Sequence, residues 1–183
     1  ASTANVYEPT ETVINELSLT RPVNDYAISK LAGENIVSLY KQHFNTSILR
    51  FFNYTGLNQD NKFLIPKIIS HFKSKKENIE LGDITISRDF SDVRDISKIY
   101  LEVIKNNQQD LLLNVCSGIT YSIHDIVQIC EDITSHKIII DINPKFVRPN
   151  EIKKITGSTD NLQFFLSDHN RIKMKDTLHW MLS

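Results

Sequence analysis

The sequence of 183 residues has only two cysteines and lacks the residue patterns that build metal centres and membrane spans. Its two cysteines, Cys116 and Cys130, lack the spacing of metal ligands and lie among apolar residues, which predicts buried thiols in a reducing cytoplasm. The histidines show no metal-ligand spacing either, so no metal site is expected. No apolar run approaches the ~20 residues of a spanning helix, which argues against a membrane protein.

The chain also has few glycines and a small net charge. The five glycines are Gly33, Gly56, Gly82, Gly118 and Gly157, and no two of them are closer than 20 residues. A Gly-x-x-Gly-x-x-Gly turn, which holds a dinucleotide pyrophosphate at a helix N-terminus, is therefore excluded from this chain. The net charge of −1 gives no broad attraction for nucleic acid or membranes, so anion binding must come from local Arg and Lys side chains.

A tyrosine and a lysine four residues apart, Tyr26 and Lys30, carry the strongest chemical signal. Residues i and i+4 share one face of a helix, so the Lys30 ammonium would lie beside the phenol and favour its anionic form. The phenol could then act as an acid or base near neutral pH. Thr3, at the end of a predicted strand, offers a hydroxyl to the same substrate oxygen. Taken singly each residue has an ordinary structural reading, but the combination indicates hydride transfer at a sugar-like carbon.

Apolar periodicity and turn residues predict alternating strands and helices. Helices are expected at residues 26–44, 63–75 and 95–105, from Ser122 onward, and twice within 158–183. Strands are expected at 46–52, 79–82, 84–86, 111–115 and 138–142, with loops at 8–25 and 144–151. Ser122 followed by Asp125 is close to a capping box, which predicts that a helix begins there.

Six segments resemble, in order, the motifs of one family. They are residues 2–7 (STANVY), 21–30 (RPVNDYAISK), 48–56 (ILRFFNYTG), 81–83 (LGD), 87–95 (SRDFSDVRD) and 148–152 (RPNEI). The chain thereby resembles, from residue 1 to about 157, the extended short-chain dehydrogenase/reductases that act on nucleotide sugars. Within this NAD-dependent epimerase/dehydratase family it is most similar to GDP-mannose 4,6-dehydratases and GDP-4-keto-6-deoxymannose reductases.

The resemblance implies an α/β fold: the C-terminal part of a Rossmann-type doubly wound parallel sheet plus a smaller α/β substrate-binding domain. Residues 1–60 would be the remaining part of the NAD(P)-binding domain with the active-site helix. Residues 61–183 would mostly form the nucleotide-sugar-binding domain, with some strands returning to the sheet. Because the Gly-rich turn is absent, we expect the chain to be the C-terminal portion of a longer enzyme, cytoplasmic and inactive alone. The resemblance implies NAD or NADP as cofactor without distinguishing them.

The resemblance also implies functional residues. The catalytic set would be Thr3, Tyr26 and Lys30, of which Tyr26 and Lys30 also contact the cofactor. Arg88 would bind the diphosphate and Glu151 a ribose hydroxyl, and the full substrate-binding set would be Asn53, Lys67, Arg88, Arg148 and Glu151.

Structural alternatives stay open for most of these residues. Arg88 could instead pair with its neighbour Asp89, and Arg148 and Glu151 could be members of ordinary loop ion pairs. Asn53 could cap a turn, and Lys67 could be solvated. Outside this set, Glu34 follows Lys30 by four residues and could pair with it.

The residues after Thr3 bear on the reaction. In the family's 4,6-dehydratases an acidic residue closely follows the hydroxyl residue and removes the C5 proton, whereas this chain has Ala4 and Asn5. We therefore expect a reductase that converts a GDP-4-keto-6-deoxyhexose to the deoxyhexose. A GDP-mannose 4,6-dehydratase with a displaced acid, a nucleotide-sugar 4-epimerase and a truncated non-catalytic fragment are the alternatives. The family also predicts a homodimer through the Tyr26 helix, with residues 28–44 as the interface.

Overall fold

The structure, a computed structural model, describes residues 1–107, 110–147, 151–166 and 171–183. Its strands are β1 (Ser2–Thr3), β2 (Ser47–Phe51), β3 (Asn53–Thr55), β4 (Asn78–Leu81), β5 (Ser87–Asp92), β6 (Leu111–Val115), β7 (Thr120–Ser122), β8 (Ile139–Ile142) and β9 (Lys154–Ile155). Its helices are α1 (Asp25–Leu39), α2 (Leu64–Lys73), α3 (Val93–Asn106), α4 (Ile123–Thr134), α5 (Asp160–Phe165) and α6 (Met174–Leu182), with short 3₁₀ turns at Ala4–Val6 and Pro144–Phe146.

The first sheet is parallel and has the order β1-β2-β6. Thr3 lies opposite Phe51 and Phe51 opposite Val115, so the three strands end at the same edge. Strands covered on both faces are mostly apolar, and in β6 every residue except Asn114 is apolar. The side chains of β2 and β6 pack against α3 and α5 in a core that comprises Leu49, Phe51, Ile96, Ile99, Val103, Leu111, Leu113, Val115 and Leu162.

Two smaller sheets build the other half of the chain. In one, β5 pairs in parallel with β3 and β9 and antiparallel with β7; in the other, β4 and β8 pair in parallel. Helices α2, α4 and α6 pack on one another over a second core, whose fully buried members include Ile65, Ile68, Ile79, Ile126 and Leu178. Strand β5 leads directly into α3 and so connects the two halves.

The predicted α/β Rossmann-like class is confirmed, and most predicted elements are present with shifted ends. Strand β6 has the predicted bounds, and α4 begins with a complete capping box between Ser122 and Asp125. Helix α1 ends at Leu39 rather than residue 44. Helix α3 begins at Val93, earlier than predicted, because the Asp92 side chain accepts a hydrogen bond from the Arg94 backbone N–H and caps it. The proposed division at residue 60 stays a prediction.

The strand predicted at residues 84–86 is wrong. The Asp83 carboxylate accepts hydrogen bonds from the backbone N–H (2.9 Å) and hydroxyl (2.6 Å) of Thr85, which closes a local turn. A short polar side chain that satisfies the backbone locally competes with a strand ladder. The strand starts only at Ser87.

Both cysteines are free and buried, as predicted. Burial raises the pKa of the Cys130 thiol to about 12, so this group is protonated at neutral pH. Burial likewise raises the pKa of Cys116. No helix within the described ranges has the length and apolar character needed to cross a membrane.

Candidate active site

A cleft of about 1240 Å³ opens where β1 and β2 end. Ligands of open α/β sheets bind beyond the carboxyl ends of the strands, and this cleft occupies that position. Seven predicted site residues line it: Thr3, Tyr26, Lys30, Asn53, Lys67, Arg88 and Glu151. The eighth, Arg148, lies outside the described residues.

The Tyr26–Lys30 pair is at the start of α1 and faces the cleft. The Lys30 Nζ atom is 5.8 Å from the centroid of the Tyr26 ring, and the tyrosine is 54% exposed. The Asn24 side chain caps the helix by accepting a hydrogen bond from the Ala27 backbone N–H (2.9 Å). Tyr26 and Lys30 therefore lie together in the first two turns of the helix, where its dipole presents its positive end.

Thr3 is buried at the end of β1 and has a structural contact of its own. Its hydroxyl oxygen accepts a hydrogen bond from the Asn5 backbone N–H (3.3 Å) and so begins the 3₁₀ turn of Ala4–Val6. That turn exposes the neutral Asn5 amide at the cleft. Neither of the two residues that follow Thr3, Ala4 and Asn5, has an acidic side chain.

Arg88 pairs with Glu151 rather than with Asp89, so the sequence-based alternative of an Arg88–Asp89 pair is wrong. The Arg88 Nη2 atom donates to Glu151 Oε1 (2.8 Å), and Nη1 donates to the carbonyl oxygen of Ile152 (2.9 Å). Both side chains are partly exposed to the cleft, at 17% and 22%. The two predicted ligands of diphosphate and ribose therefore lie side by side.

Asp89 is fully buried and joins β5 to the loop after β6. Its carboxylate accepts hydrogen bonds from the Ser117 backbone N–H (2.7 Å), the Ser117 hydroxyl (2.6 Å) and the Gly118 backbone N–H (2.8 Å). Burial raises the pKa of the Asp89 carboxyl, and the hydrogen bonds from Ser117 and Gly118 oppose that rise. The contacts fasten the loop after β6 to the strand that carries Arg88.

Lys67 and Asn53 both have protein partners at the cleft wall. Lys67 Nζ donates to the Glu80 carbonyl oxygen (2.6 Å) and lies 4.8 Å from the centroid of the Phe146 ring. Asn53 Nδ2 donates to the Asp89 carbonyl oxygen (3.3 Å). Phe146 is half exposed and was not predicted as a site residue; the Asn143-Pro144 turn that projects it into the cleft was the available signal.

The cleft is rich in positive charge. Within the described ranges five basic residues line it: Lys30, Lys62, Lys67, Arg88 and Lys145. Only two carboxylates do so, and each is paired: Glu151 with Arg88, and Asp83 with Lys153. The hydrogen bond from Lys153 holds the pKa of Asp83 well below its usual range. Such a cleft suits an anionic ligand.

No metal centre is apparent in the part of the chain that the structure describes, since no three His, Cys, Asp or Glu side chains come together there.

Glu34 differs most from its prediction, because it pairs with Arg50 and not with Lys30. Its carboxylate accepts hydrogen bonds from Arg50 Nε (2.9 Å) and Nη2 (2.6 Å) and from the Ser2 hydroxyl. The sequence held a signal for this: Ala27, Leu31 and Glu34 are at i, i+4 and i+7 and therefore share the inner face of α1. An arginine within an apolar strand also requires a buried partner.

Comparison with known proteins identifies relatives along nearly the whole chain. The sequence profile of the family "GDP-mannose 4,6 dehydratase" matches residues 1–181. The GDP-6-deoxy-D-talose 4-dehydrogenase of Aggregatibacter actinomycetemcomitans is 37% identical over 93% of this chain and 58% of its own length. The GDP-6-deoxy-D-mannose reductase of Pseudomonas aeruginosa is 29% identical with the same coverage, so the chain spans well under two thirds of both relatives.

Solved structures share the fold closely. A Burkholderia cenocepacia protein superposes with a TM-score of 0.96 at 37% identity, over 99% of this chain and 60% of the other. The structure of RMD from Pseudomonas aeruginosa complexed with NADPH superposes with a TM-score of 0.90 at 28% identity, over 99% and 63% of the two chains.

We predict that Asp89→Asn destabilises the fold by about 1–3 kcal/mol, because the amide NH₂ would face the donors of Ser117 or the N–H of Gly118 and leave them unsatisfied. Denaturant unfolding followed by circular dichroism measures the loss. Asp132→Asn makes the same chemical change on the exposed face of α4 and should stay within about 0.5 kcal/mol of the parent. Equal stabilities for the two variants would show that the buried contacts of Asp89 contribute nothing.

Proposed function

Because this chain belongs to the GDP-mannose 4,6 dehydratase family, we propose that it forms the catalytic and sugar-binding part of a nucleotide-sugar oxidoreductase. The reaction is reduction of the C4 ketone of a GDP-linked 4-keto-6-deoxyhexose. The observation that carries the proposal is the arrangement of one cleft, in which Thr3, Tyr26 and Lys30 share the walls with Arg88. The names of two relatives, a GDP-6-deoxy-D-talose dehydrogenase and a GDP-6-deoxy-D-mannose reductase, support this class.

The three residues suffice for proton transfer. Tyr26 donates its phenol proton to the C4 oxygen as that oxygen gains negative charge, Thr3 orients the oxygen through its hydroxyl, and Lys30 stabilises the resulting phenolate. Addition of a hydride to C4 and of this proton to the oxygen converts the ketone to an alcohol, and the phenolate regains a proton from solvent. The Lys30 ammonium and the exposed Tyr26 hydroxyl are donors that fit a nicotinamide ribose. NADH or NADPH, when bound, supplies the hydride for C4.

The remaining predicted residues serve the nucleotide. Arg88 offers a planar fork that suits two phosphate oxygens. Glu151 accepts hydrogen bonds from the ribose, and Arg148, three residues earlier in the sequence, is a further phosphate ligand. Asn53 and Lys67 supply further contacts to the substrate, with Lys67 beside the exposed Phe146 ring.

The absence of a carboxylate after Thr3 favours reduction over 4,6-dehydration. Neither Ala4 nor Asn5 has a side chain that can remove a C5 proton, and both carboxylates that line the described cleft are already paired with cations. Epimerisation at C4 uses the same Tyr26, Lys30 and Thr3 and is the second candidate. Net oxidation of the reduced nicotinamide distinguishes the two, because an epimerase returns its hydride.

Residues 1–60 are proposed to complete a cofactor-binding domain and residues 61–183 to form most of the substrate domain. The free, buried cysteines suit a cytoplasmic location.

The C4 reduction is tested by mixing the full-length gene product with GDP-4-keto-6-deoxymannose and NADH or NADPH and following the reduced-nicotinamide absorbance. We predict consumption that falls about 10²–10⁴-fold in Tyr26→Phe, which removes the proton donor. Tyr121→Phe, on a tyrosine outside the cleft, is the matched control. Conversion of GDP-mannose to a 4-keto product without consumption of reduced nicotinamide would contradict the proposal.

The diphosphate role of Arg88 is tested by calorimetric titration with GDP and GMP. We predict that Arg88→Lys, which keeps the charge and loses the fork, weakens GDP binding about tenfold, or about 1.4 kcal/mol. Arg88→Met should also abolish the preference for GDP over GMP. Arg21→Met, which breaks an exposed ion pair with Glu8, should leave both affinities unchanged. An undiminished preference for GDP in Arg88→Met would exclude the assigned contact.

We also propose that α1 and the turn after it contact a second copy of the chain. Apolar side chains stand exposed along this segment: Ile28 (52%), Ile36 (58%), Leu39 (78%), Tyr40 (49%) and Phe44 (66%). An apolar stripe of this length favours an interface. The occupant is a second copy because the same stripe on two chains is self-complementary around a two-fold axis.

Sedimentation equilibrium of the full-length gene product tests the dimer. We predict that Ile36→Glu shifts it toward monomer, because a carboxylate would be buried against apolar side chains. Gln163→Glu adds the same charge to the exposed face of α5 and should leave the dimer intact. A wild-type protein that sediments as a monomer at micromolar concentration would refute this interface.

A further inference from the structure

The contact between Glu34 and Arg50 is the most deeply buried ion pair that the structure describes. The two side chains are each 7% exposed, and the Arg50 fork binds both carboxylate oxygens. Although burial lowers it, the Glu34 carboxylate and the Tyr7 hydroxyl raise the pKa of Arg50 above its ordinary value. The Arg50 guanidinium therefore stays charged in the folded protein.

This pair joins the two elements that carry the reacting groups. Glu34 lies one helical turn beyond Lys30 on α1, so only ~6 Å of helix axis separates the two residues. On the other side, Glu34 accepts a hydrogen bond from Ser2, the residue before Thr3 on β1. Arg50 belongs to β2 and lies opposite Ser2 in the parallel ladder. One carboxylate thus holds α1 to β1 and β2 together.

The contacts continue through the sheet. The Arg50 guanidinium stacks over the Tyr7 ring, 4.7 Å from its centroid. The Tyr7 hydroxyl donates to Asn114 Oδ1 (2.6 Å) on β6, and Asn114 Nδ2 donates to the carbonyl oxygen of Ile14 (3.1 Å). These contacts therefore connect α1 to all three strands of the parallel sheet.

Stability alone is a poor reason for such a pair. Removing two charges from water costs free energy that their attraction only partly returns, and apolar residues of similar size are often as stable or more so. The cost is higher here because Arg50 Nη1 is buried and finds no hydrogen-bond partner among the described residues. The ion pair supplies directional hydrogen bonds that fix the position of α1 along its axis, and an apolar contact would not.

From these contacts we infer that Glu34 and Arg50 are positioning residues, which hold the Tyr26 phenol and Lys30 ammonium in register with the Thr3 hydroxyl. This inference rests on the proposed function, because the register is one that C4 reduction requires. Neither residue lines the cleft. Their effect is on the turnover step, where a misplacement of about 1 Å costs on the order of 100-fold in rate.

The test measures kcat, KM and stability of the full-length gene product for a set of variants. Glu34→Gln keeps the shape and removes the charge, and we expect kcat to fall about 10- to 100-fold with KM for the nucleotide sugar within about threefold of the parent. Arg50→Lys keeps the charge without the planar fork, so its kcat should fall less than that of Glu34→Gln. Thr177→Val removes a buried hydroxyl bonded to Asp92 on another part of the fold; it is the control for the loss of a buried polar contact and should keep kcat.

A paired apolar variant separates positioning from stability. Glu34→Leu with Arg50→Met replaces the pair by side chains of similar volume, so the unfolding midpoint should stay close to that of the parent. We expect kcat to remain as low as in Glu34→Gln. Full turnover in this double variant, or an equal loss of kcat in Thr177→Val and Glu34→Gln, would overturn the inference.

A second readout keeps this inference distinguishable from the proposed function. If the wild-type protein lacks ketone reduction, the proposed function fails, and amide hydrogen exchange decides the positioning role. Residues 25–30 of α1 should then exchange faster in Glu34→Gln and in the paired apolar variant than in Thr177→Val. Unchanged exchange of these amides in both would overturn the positioning role, whatever the reaction.

Discussion

The placement of one helix against a parallel sheet is the constraint on which the site depends. Tyr26 and Lys30 on α1 face the same cleft as Thr3 on β1, which requires a helix and a strand far apart in sequence to keep a fixed register. Apolar packing of α1 is modest, since only Ala27 and Glu34 on this helix are buried. The buried bonds from Glu34 to Arg50 and Ser2 supply the direction that apolar packing lacks.

The opposite wall of the cleft is organised around charge. Strand β5 presents Arg88 to the cleft while its neighbour Asp89 points inward and binds the loop after β6. Successive side chains of a strand point to opposite faces, so Arg88 and Asp89 do not pair with each other. Each has a different partner. Arg88 and Glu151 neutralise each other, which gives a partly buried cation a partner within the protein.

Local signals in the sequence predict much of this arrangement, and long-range pairing accounts for what they miss. Three features depend on residues close in sequence and were predictable: the shared helix face of Tyr26 and Lys30, the start of α4 at Ser122 and the bounds of β6. Glu34 and Arg50 are 16 residues apart, and Arg88 and Glu151 are 63 apart. Residues that far apart become partners only through the tertiary fold. The turn at Asp83 was missed because two hydrogen bonds to the Asp83 carboxylate outweighed the β propensity of Ile84–Ile86.

The central claim is that hydride is delivered to C4 of a GDP-linked sugar in the cleft beside Tyr26. The most direct test uses NADH or NADPH deuterated at the reactive C4 position of the nicotinamide, with GDP-4-keto-6-deoxymannose and the full-length gene product. Proton NMR of the product locates the label. The account predicts one deuterium at sugar C4 and none at C5. A product without label at C4, or exchange of the C5 hydrogen with solvent, would contradict it.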